Sequence, residues 1–156
     1  MKVHICAVGR LRAGPEQSLI DDYLTRFDRT GRALSLGPAK ITEVEPKKGG
    51  GQPVEATLLR KAIPKGAMIC ALDERGRSAT SPEFSQMLAK WRDMGVQDLA
   101  FVIGGADGID PELRQEAGQL LSFGKMVWPH MLARVMLCEQ LYRAASILGG
   151  APYHRV

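Results

Sequence analysis

The sequence predicts an α/β domain built on a mostly parallel sheet. Short apolar runs of strand length alternate with segments of helix length along all 156 residues, and such alternation is typical of βαβ units. The composition is 45% hydrophobic and 24% charged, which is ordinary for a globular protein. No internal repeat or change in composition divides the chain. We therefore expect one domain over residues 1–156, large enough to bury roughly two-thirds of its unfolded surface.

Turn-forming residues separate the predicted elements of the first half. Residues 3–8 form an alternating apolar run that predicts a strand, and an amphipathic helix follows from Pro15 to Phe27. Residues 39–45 alternate as a second strand. Three glycines and two prolines in 46–53 predict a flexible loop. A helix over 54–63 comes next, and the proline that follows it ends it.

The middle of the chain repeats this order of strand and helix. Residues 67–72 predict a buried strand, and the polar sequence at 73–78 predicts a turn. Pro82 opens a helix that extends to about Met94, since proline is favoured in the first helical turn. Residues 99–105 form the most hydrophobic predicted strand.

The last third predicts two helices with a short strand between them. Asp110 supplies an N-cap, and Pro111 a first-turn proline, for a helix over 111–120. Residues 125–128 predict a short strand, and 130–148 a long final helix. This final helix is apolar around most of its circumference, so one side should face the sheet and another a second subunit.

Basic residues are concentrated in the first half of the chain. The net charge is +4, with 14 Lys/Arg against 9 Asp/Glu in residues 1–78, and 7 against 8 in residues 79–156. Such a surplus attracts a polyanion such as RNA, although a solvated surface is the simpler interpretation on charge alone. The surplus includes Arg10, Arg12, Arg26, Arg29, Arg32, Lys47, Lys48, Arg60 and Lys61.

The cysteine pattern favours a reducing compartment and gives no metal site. Cys6, Cys70 and Cys138 lie far apart inside apolar runs, without metal-ligand spacing. Buried free thiols are the simplest interpretation. No apolar run approaches the ~20 residues that cross a bilayer, and the apolar run at the start is shorter than a signal-peptide core. These features predict a cytoplasmic protein.

Three segments become candidates for a binding site, because ligands of parallel sheets bind beyond the carboxyl ends of the strands. They are the turn after Leu72, the glycine-rich turn that begins at Gly104 and Gly105, and the stretch before His130. Glycines permit close approach of backbone to a ligand, but a tight turn without a ligand explains them equally well. The spacing matches neither the dinucleotide fingerprint nor a P-loop.

The C-terminal tail presents a second candidate set. A Gly-Gly-Ala-Pro hinge at 149–152 precedes Tyr153, His154 and Arg155, which offer a phenol, an imidazole and a guanidinium. Nearby, Glu139 and Arg143 have the i, i+4 spacing of an ion pair, which we expect to be structural. Arg134 is suited either to a phosphate or to a carboxylate.

Long segments of the chain resemble the RlmH family of small SPOUT-class methyltransferases. The resemblance rests on IGGADGI, on LSFGKMVWPHMLARVMLCEQLYRA and on the terminal PYHRV, and it extends from residue 1 to residue 156. It implies transfer of a methyl group from S-adenosylmethionine to N3 of a pseudouridine in 23S ribosomal RNA. It also implies an α/β knot, in which the C-terminal segment threads through a loop to form the cofactor pocket.

Matching positions carry the implied S-adenosylmethionine pocket onto this sequence. The central strand would contribute Leu72, and the glycine-rich turn Gly104 and Gly105. The threaded loop would contribute a continuous stretch: Phe123, Gly124, Lys125, Met126, Val127 and Trp128. The sulfonium of the cofactor makes its methyl group electrophilic, so no metal is required.

On the substrate side, the resemblance implies a homodimer that acts on 23S RNA in the 70S ribosome, the tail of one subunit completing the site of the other. Tyr153, His154 and Arg155 match that tail. His154 or Tyr153 would hydrogen-bond or deprotonate N3–H, and Arg155 would hold a phosphate or stabilise the developing anion. Alternatively, the tail only positions RNA. A methyltransferase acting on another RNA and a non-catalytic ribosome-binding factor also remain open.

Overall fold

A five-stranded sheet with helices on both faces forms the framework of the protein, as seen in a computed structural model that describes residues 1–155. The strands are β1 (Lys2–Val8), β2 (Ala39–Val44), β3 (Met68–Ser78), β4 (Asp98–Ile103) and β5 (Gln119–Ser122). The helices are α1 (Pro15–Gly31), α2 (Gly51–Ala62), α3 (Ser81–Asp93), α4 (Pro111–Glu116) and α5 (His130–Leu148), with a 3₁₀ turn at Arg32–Leu34. Val156, the last residue of the predicted domain, lies outside the described residues.

All neighbouring strands pair in parallel, in the order β2-β1-β4-β3-β5. The five strands therefore end at the same edge of the sheet, which we call the carboxyl edge. This arrangement confirms the predicted α/β fold with a parallel sheet flanked by helices. The knot implied by the resemblance stays a prediction.

Each face of the sheet carries its own apolar core. On one face α1, α3 and α5 pack together around Phe27, Phe101 and Leu137. On the other face, Leu59 of α2 and Leu113 of α4 are buried against the sheet. Strands covered on both faces are apolar on both faces, which explains the continuous apolar sequence of β4.

Side-chain caps determine where two helices begin. The Asp110 carboxylate accepts the backbone N–H groups of Glu112 and Leu113, at 3.0 and 3.3 Å, which confirms the predicted N-cap of α4. Before α3, the Thr80 hydroxyl accepts the Glu83 N–H, and the Glu83 carboxylate accepts the Thr80 N–H. Such a capping box satisfies two otherwise unpaired donors.

The prediction of a strand at 125–128 was wrong, and so was the prediction of a helix to residue 120. The helix ends at Glu116, and the last strand is Gln119–Ser122. The break lies at Gly118, whose N–H donates to the Ile69 carbonyl at 3.0 Å and which packs closely against the Met68 side chain. This close contact brings the chain beside β3, so the apolar residues after Gly118 pair with β3.

The polar turn predicted at 73–78 was also wrong, because β3 continues through Ser78. The pairing of β3 with β5 shifts register between Leu72 and Arg77. Gly76 lies within this irregularity, where an added Cβ would lie 2.6 Å from the Leu120 backbone. A smaller difference concerns α2, which begins at Gly51, inside the loop predicted over 46–53.

The prediction of buried free thiols is confirmed. Cys6, Cys70 and Cys138 are buried and unbonded to one another. Burial raises the pKa of the Cys6 thiol to about 11 and those of Cys70 and Cys138 to about 12, so all three stay protonated at neutral pH. Among residues 1–155, no helix has the length and apolar character needed to cross a bilayer.

Arg134 of α5 joins the helix layer to the carboxyl edge. Its side chain is 1% exposed, and its Nη1 lies 2.7 Å from Oε2 of Glu43 in β2. Its Nη2 donates to the carbonyl oxygens of Val8 and Gly9, at 3.4 and 3.2 Å. Of the two roles considered from the sequence, the structure shows the carboxylate partner.

Replacing Arg134 with Leu should lower the free energy of unfolding by about 2–4 kcal/mol, because two carbonyl oxygens and a carboxylate lose their charged donor. Chemical denaturation measures this change. The second variant, Glu43→Gln, keeps a hydrogen-bond acceptor for Arg134 but removes the counter-charge of this buried cation, so it should also destabilise the fold, by about 1–3 kcal/mol. Equal stability of the Arg134→Leu variant and the parent would contradict the role given to Arg134.

Candidate functional site

A cavity of about 310 Å³ opens at the carboxyl edge, beside the ends of β4 and β5 and the part of β3 that follows its last pairing with β4. This volume lies at the lower end of the range for small-molecule sites. Its walls come from the middle of β3, the glycine-rich turn after β4, the end of β5 and the segment that joins β5 to α5. The lining residues are Leu72 to Arg75, Gly105 to Gly108, Leu121 to Gly124, Met126 to Trp128, and Ala133.

The glycine-rich turn after β4 requires glycine on steric grounds. A Cβ on Gly104 would lie 2.7 Å from the Gly108 backbone, and one on Gly105 would lie 2.8 Å from the Glu55 carboxylate. Gly108 itself has a positive φ of 81°, a conformation that favours glycine. Gly105 lines the cavity, whereas Gly104 lies behind it and allows the turn to close.

The segment between β5 and α5 gives the cavity an exposed apolar wall. Met126 is 72% exposed, Val127 85% and Trp128 40%, although apolar side chains of this size are usually buried. The backbone N–H groups of residues 125–128 have no acceptor within residues 1–155. Apolar surface beside unpaired donors suits a flat heteroaromatic ring such as adenine.

The structure brings together seven of the nine residues predicted to bind the cofactor. Those lining the cavity are Leu72, Gly105, Phe123, Gly124, Met126, Val127 and Trp128. Gly104 and Lys125 do not line it. Their contact with a cofactor stays a prediction, as it does for the other seven.

Asp73, Glu74 and Arg75 form the polar wall of the cavity; the sequence analysis named the segment after Leu72 as a candidate but none of these three residues. The Asp73 side chain is only 5% exposed, and its carboxylate lies 3.3 Å from Arg75 Nη1 and 3.6 Å from Arg114 Nη1. The sequence contains a signal for these polar residues, because they directly follow Leu72, where the predicted strand 67–72 ends and where ligands of parallel sheets bind. Within residues 1–155, potential metal ligands do not gather in a group of three.

The tail packs against α5 of its own chain. The Tyr153 hydroxyl donates to Glu139 Oε1 at 3.0 Å, and Arg143 Nη1 lies 3.2 Å from Nδ1 of His154. The predicted Glu139–Arg143 ion pair is confirmed, with 2.6 Å between Oε1 and Nη2. Since a guanidinium only donates, Nδ1 accepts, and a neutral His154 ring carries its proton on Nε2.

Tyr153 is held as a phenol by its surroundings. Burial raises its pKa well above the usual range, and the hydrogen bond to the Glu139 carboxylate raises it further. The same carboxylate raises the pKa of Arg143, which remains cationic. At neutral pH, the Tyr153 hydroxyl is thus a hydrogen-bond donor and not a proton acceptor.

The tail and the cavity remain separate within one chain. Up to Arg155, no residue of the tail lines the cavity. Between them lies a second cavity of about 520 Å³, which includes Tyr23 and Glu139 and shares Leu121 to Gly124 with the first. A single chain therefore contains both predicted halves of the site without joining them.

A protein-family model described as "Predicted SPOUT methyltransferase" matches residues 1–154. Among solved structures, a probable methylase family protein from Haemophilus influenzae aligns with a TM-score of 0.56 at 12% identity, covering 99% of this chain and 70% of that one. At such low identity, this likeness shows the fold alone.

Bacterial relatives match over the whole chain. Proteins called ribosomal RNA large subunit methyltransferase H from a Ruegeria species and from Dinoroseobacter shibae are 72% and 70% identical, each over 100% of both chains. The protein of that name from Roseobacter denitrificans is 72% identical over 99% of both chains. With this identity added to the fold, the cavity at the carboxyl edge and the family match, the chain belongs to the SPOUT methyltransferase family.

Proposed function

We propose that this protein transfers a methyl group from S-adenosylmethionine to N3 of a pseudouridine in 23S ribosomal RNA, acting on the assembled 70S ribosome. The observation that carries the proposal is the cavity at the carboxyl edge, whose walls combine a glycine-rich turn with an exposed apolar segment. Relatives 70–72% identical bear the name ribosomal RNA large subunit methyltransferase H, which supports this RNA as the substrate.

The residues around the cavity fit S-adenosylmethionine. The apolar side chains of Met126, Val127 and Trp128 would cover the adenine, and the N–H groups of 125–128 would bind its ring nitrogens. Asp73, at the polar wall, would accept hydrogen bonds from hydroxyl or ammonium groups. When bound, the cofactor supplies an electrophilic methyl group, so the protein has mainly to orient the target nitrogen.

Methyl transfer to N3 forms an N–C bond, breaks the S–CH₃ bond and releases the N3 proton. We assign the tail the stabilisation of the negative charge that develops when this proton leaves to water. The Nε2–H group of His154 would donate to a carbonyl oxygen of the base, since Nδ1 is occupied by Arg143. Tyr153, whose hydroxyl already donates to Glu139, would hold the tail in place, and the exposed Arg155 would hold a phosphate.

The active form would be a homodimer with sites shared between subunits. The tail lies apart from the cavity of its own chain, so a tail could complete a site from a second copy. Five large apolar side chains near the start of α5 are exposed, and monomers rarely expose such a patch. They are Met126, Val127, Trp128, Met131 and Leu132.

The proposal is tested first by transfer of labelled methyl groups from S-adenosylmethionine to 70S ribosomes that lack the modification. Free 23S RNA and transfer RNA serve as alternative substrates. We expect label on a 23S pseudouridine of the assembled ribosome. Label on transfer RNA alone would give another substrate, and cofactor binding without transfer to any of the three would overturn the proposed substrate.

Replacing His154 with Ala should lower kcat on the order of 10²-fold or more, because the developing charge loses a donor. Calorimetry should find unchanged affinity for S-adenosylmethionine, since His154 lies outside the cavity. His154→Gln retains a side-chain N–H and should recover part of the loss. Equal rates for the Gln and Ala variants would favour proton abstraction over donation, and undiminished turnover of His154→Ala would exclude either role.

Mixed dimers test whether the tail acts between subunits. The His154→Ala variant has a defective tail, and Ala133→Trp enlarges a side chain of α5 that lines the cavity, to block cofactor binding. Each homodimer should be inactive. After subunit exchange, we expect about one quarter of the parent activity, because half of randomly formed dimers contain one intact shared site. A mixture as inactive as its components would mean that each tail serves its own cavity.

A further inference from the structure

We propose that four cations on two neighbouring loops, Arg10, Arg12, Lys47 and Lys48, bind phosphates of the RNA substrate beside the cavity. We call these four residues the basic rim. The inference rests on the proposed function, and it assigns to particular side chains the task of holding the nucleic acid. It also separates these four from the other basic residues of the first half of the chain.

The sheet brings the two loops of the basic rim side by side. Val8 of β1 pairs with Val44 of β2, and the Gly9 N–H donates to the Val44 carbonyl at 2.8 Å. Both loops therefore leave the carboxyl edge at the same level. β1 also pairs with β4 along its other side, so these loops lie next to the glycine-rich turn of the cavity.

The loop that carries Lys47 and Lys48 is tied directly to the cavity turn. Where this loop enters α2, the Gln52 side-chain amide donates to the Asp107 carbonyl. One turn later, the Glu55 carboxylate lies beside Gly105. Asp107 and Gly105 both line the cavity, so phosphates held by this loop would lie close to the methyl-transfer site.

Hydrogen bonds with the side chains of Glu43 and Arg134 hold the loop that carries Arg10 and Arg12. The Leu11 N–H donates to Glu43 Oε2 at 2.6 Å, and the same oxygen accepts Arg134 Nη1 at 2.7 Å. Arg134 also donates to the Gly9 carbonyl at 3.2 Å. A loop held in this way loses less conformational freedom when it binds a ligand.

The charges of the basic rim are available to a ligand. All four side chains belong to exposed residues, and none forms an ion pair within residues 1–155. By contrast, Arg26 pairs with Asp22 at 3.1 Å and Arg60 with Glu116 at 2.7 Å. Four further cations lie away from the carboxyl edge, in the last turns of α1 and α2 or just after these helices. They are Arg29, Arg32, Lys61 and Lys65.

Unpaired cations beside the cavity suit the RNA backbone, because each phosphate contact releases condensed counterions. Such contacts position a nucleic acid without reading its sequence. The basic rim would thus contribute affinity, while the cavity and the tail contribute chemistry. Removing charges of the basic rim should therefore weaken ribosome binding and reduce its salt dependence. The rate of methyl transfer in the bound complex should change little.

Two double variants, Arg10→Ala/Arg12→Ala and Lys47→Ala/Lys48→Ala, test the proposal. The matched control is Lys61→Ala/Lys65→Ala, which removes the same charge from exposed residues at the opposite end of α2. Binding to 70S ribosomes lacking the modification is measured over a range of salt concentrations. Calorimetry gives the affinity for S-adenosylmethionine, and single-turnover methylation at saturating ribosome gives the rate.

For each rim variant we expect the ribosome Kd to rise on the order of tenfold or more, and the salt slope to fall by about 2. Cofactor affinity and the saturated rate should stay near those of the parent and of the control. If the rim variants, the control and the parent bind the ribosome with equal affinity, the role proposed for the basic rim is wrong, while the proposed function is unaffected. Ribosome binding that depends on the rim, in a parent that methylates no pseudouridine, would support the rim and overturn the proposed function.

Discussion

The parallel pairing of all five strands is the constraint on which the rest of the structure depends. Because every strand ends at the carboxyl edge, every loop that follows a strand lies on one side of the molecule. The polar middle part of β3, the glycine-rich turn and the segment before α5 meet there to form the cavity. The two basic loops meet at the same edge for the same reason.

Close backbone contacts position these loops. Gly76 allows β3 to approach the Leu120 backbone at a distance that a Cβ would prevent, and Gly104 lets the turn after β4 fold back on Gly108. Arg134 adds a polar anchor in an otherwise apolar layer and holds β1, β2 and α5 in one arrangement. None of these three residues, Gly76, Gly104 and Arg134, lines the cavity, yet each helps to determine where its walls lie.

Helix α5 has a different function at each of its ends. Its start lies beside the cavity and leaves Met131 and Leu132 exposed. Its later turns carry Glu139 and Arg143, which hold the tail through Tyr153 and His154. The 19 residues of the helix thus link the cavity to a tail that lies outside it. This separation is the physical reason for expecting a second copy to complete the site.

The sequence by itself determined the order of helices and strands, the parallel sheet, the buried thiols, the N-cap at Asp110 and the Glu139–Arg143 pair. These features depend on local periodicity, on the conformational preferences of Pro and Gly, and on spacing along one helix. Seven of the sixteen residues that line the cavity were also predicted, although the resemblance to a known family supplied them. The tertiary structure alone decided the strand at Gln119–Ser122, the extension of β3 through Ser78, the partner of Arg134 and the polar wall around Asp73. Each of these depends on contacts between residues far apart in the chain, whose distances no local pattern contains. The separation of the tail from the cavity has the same origin, since it follows from how α5 packs on the sheet.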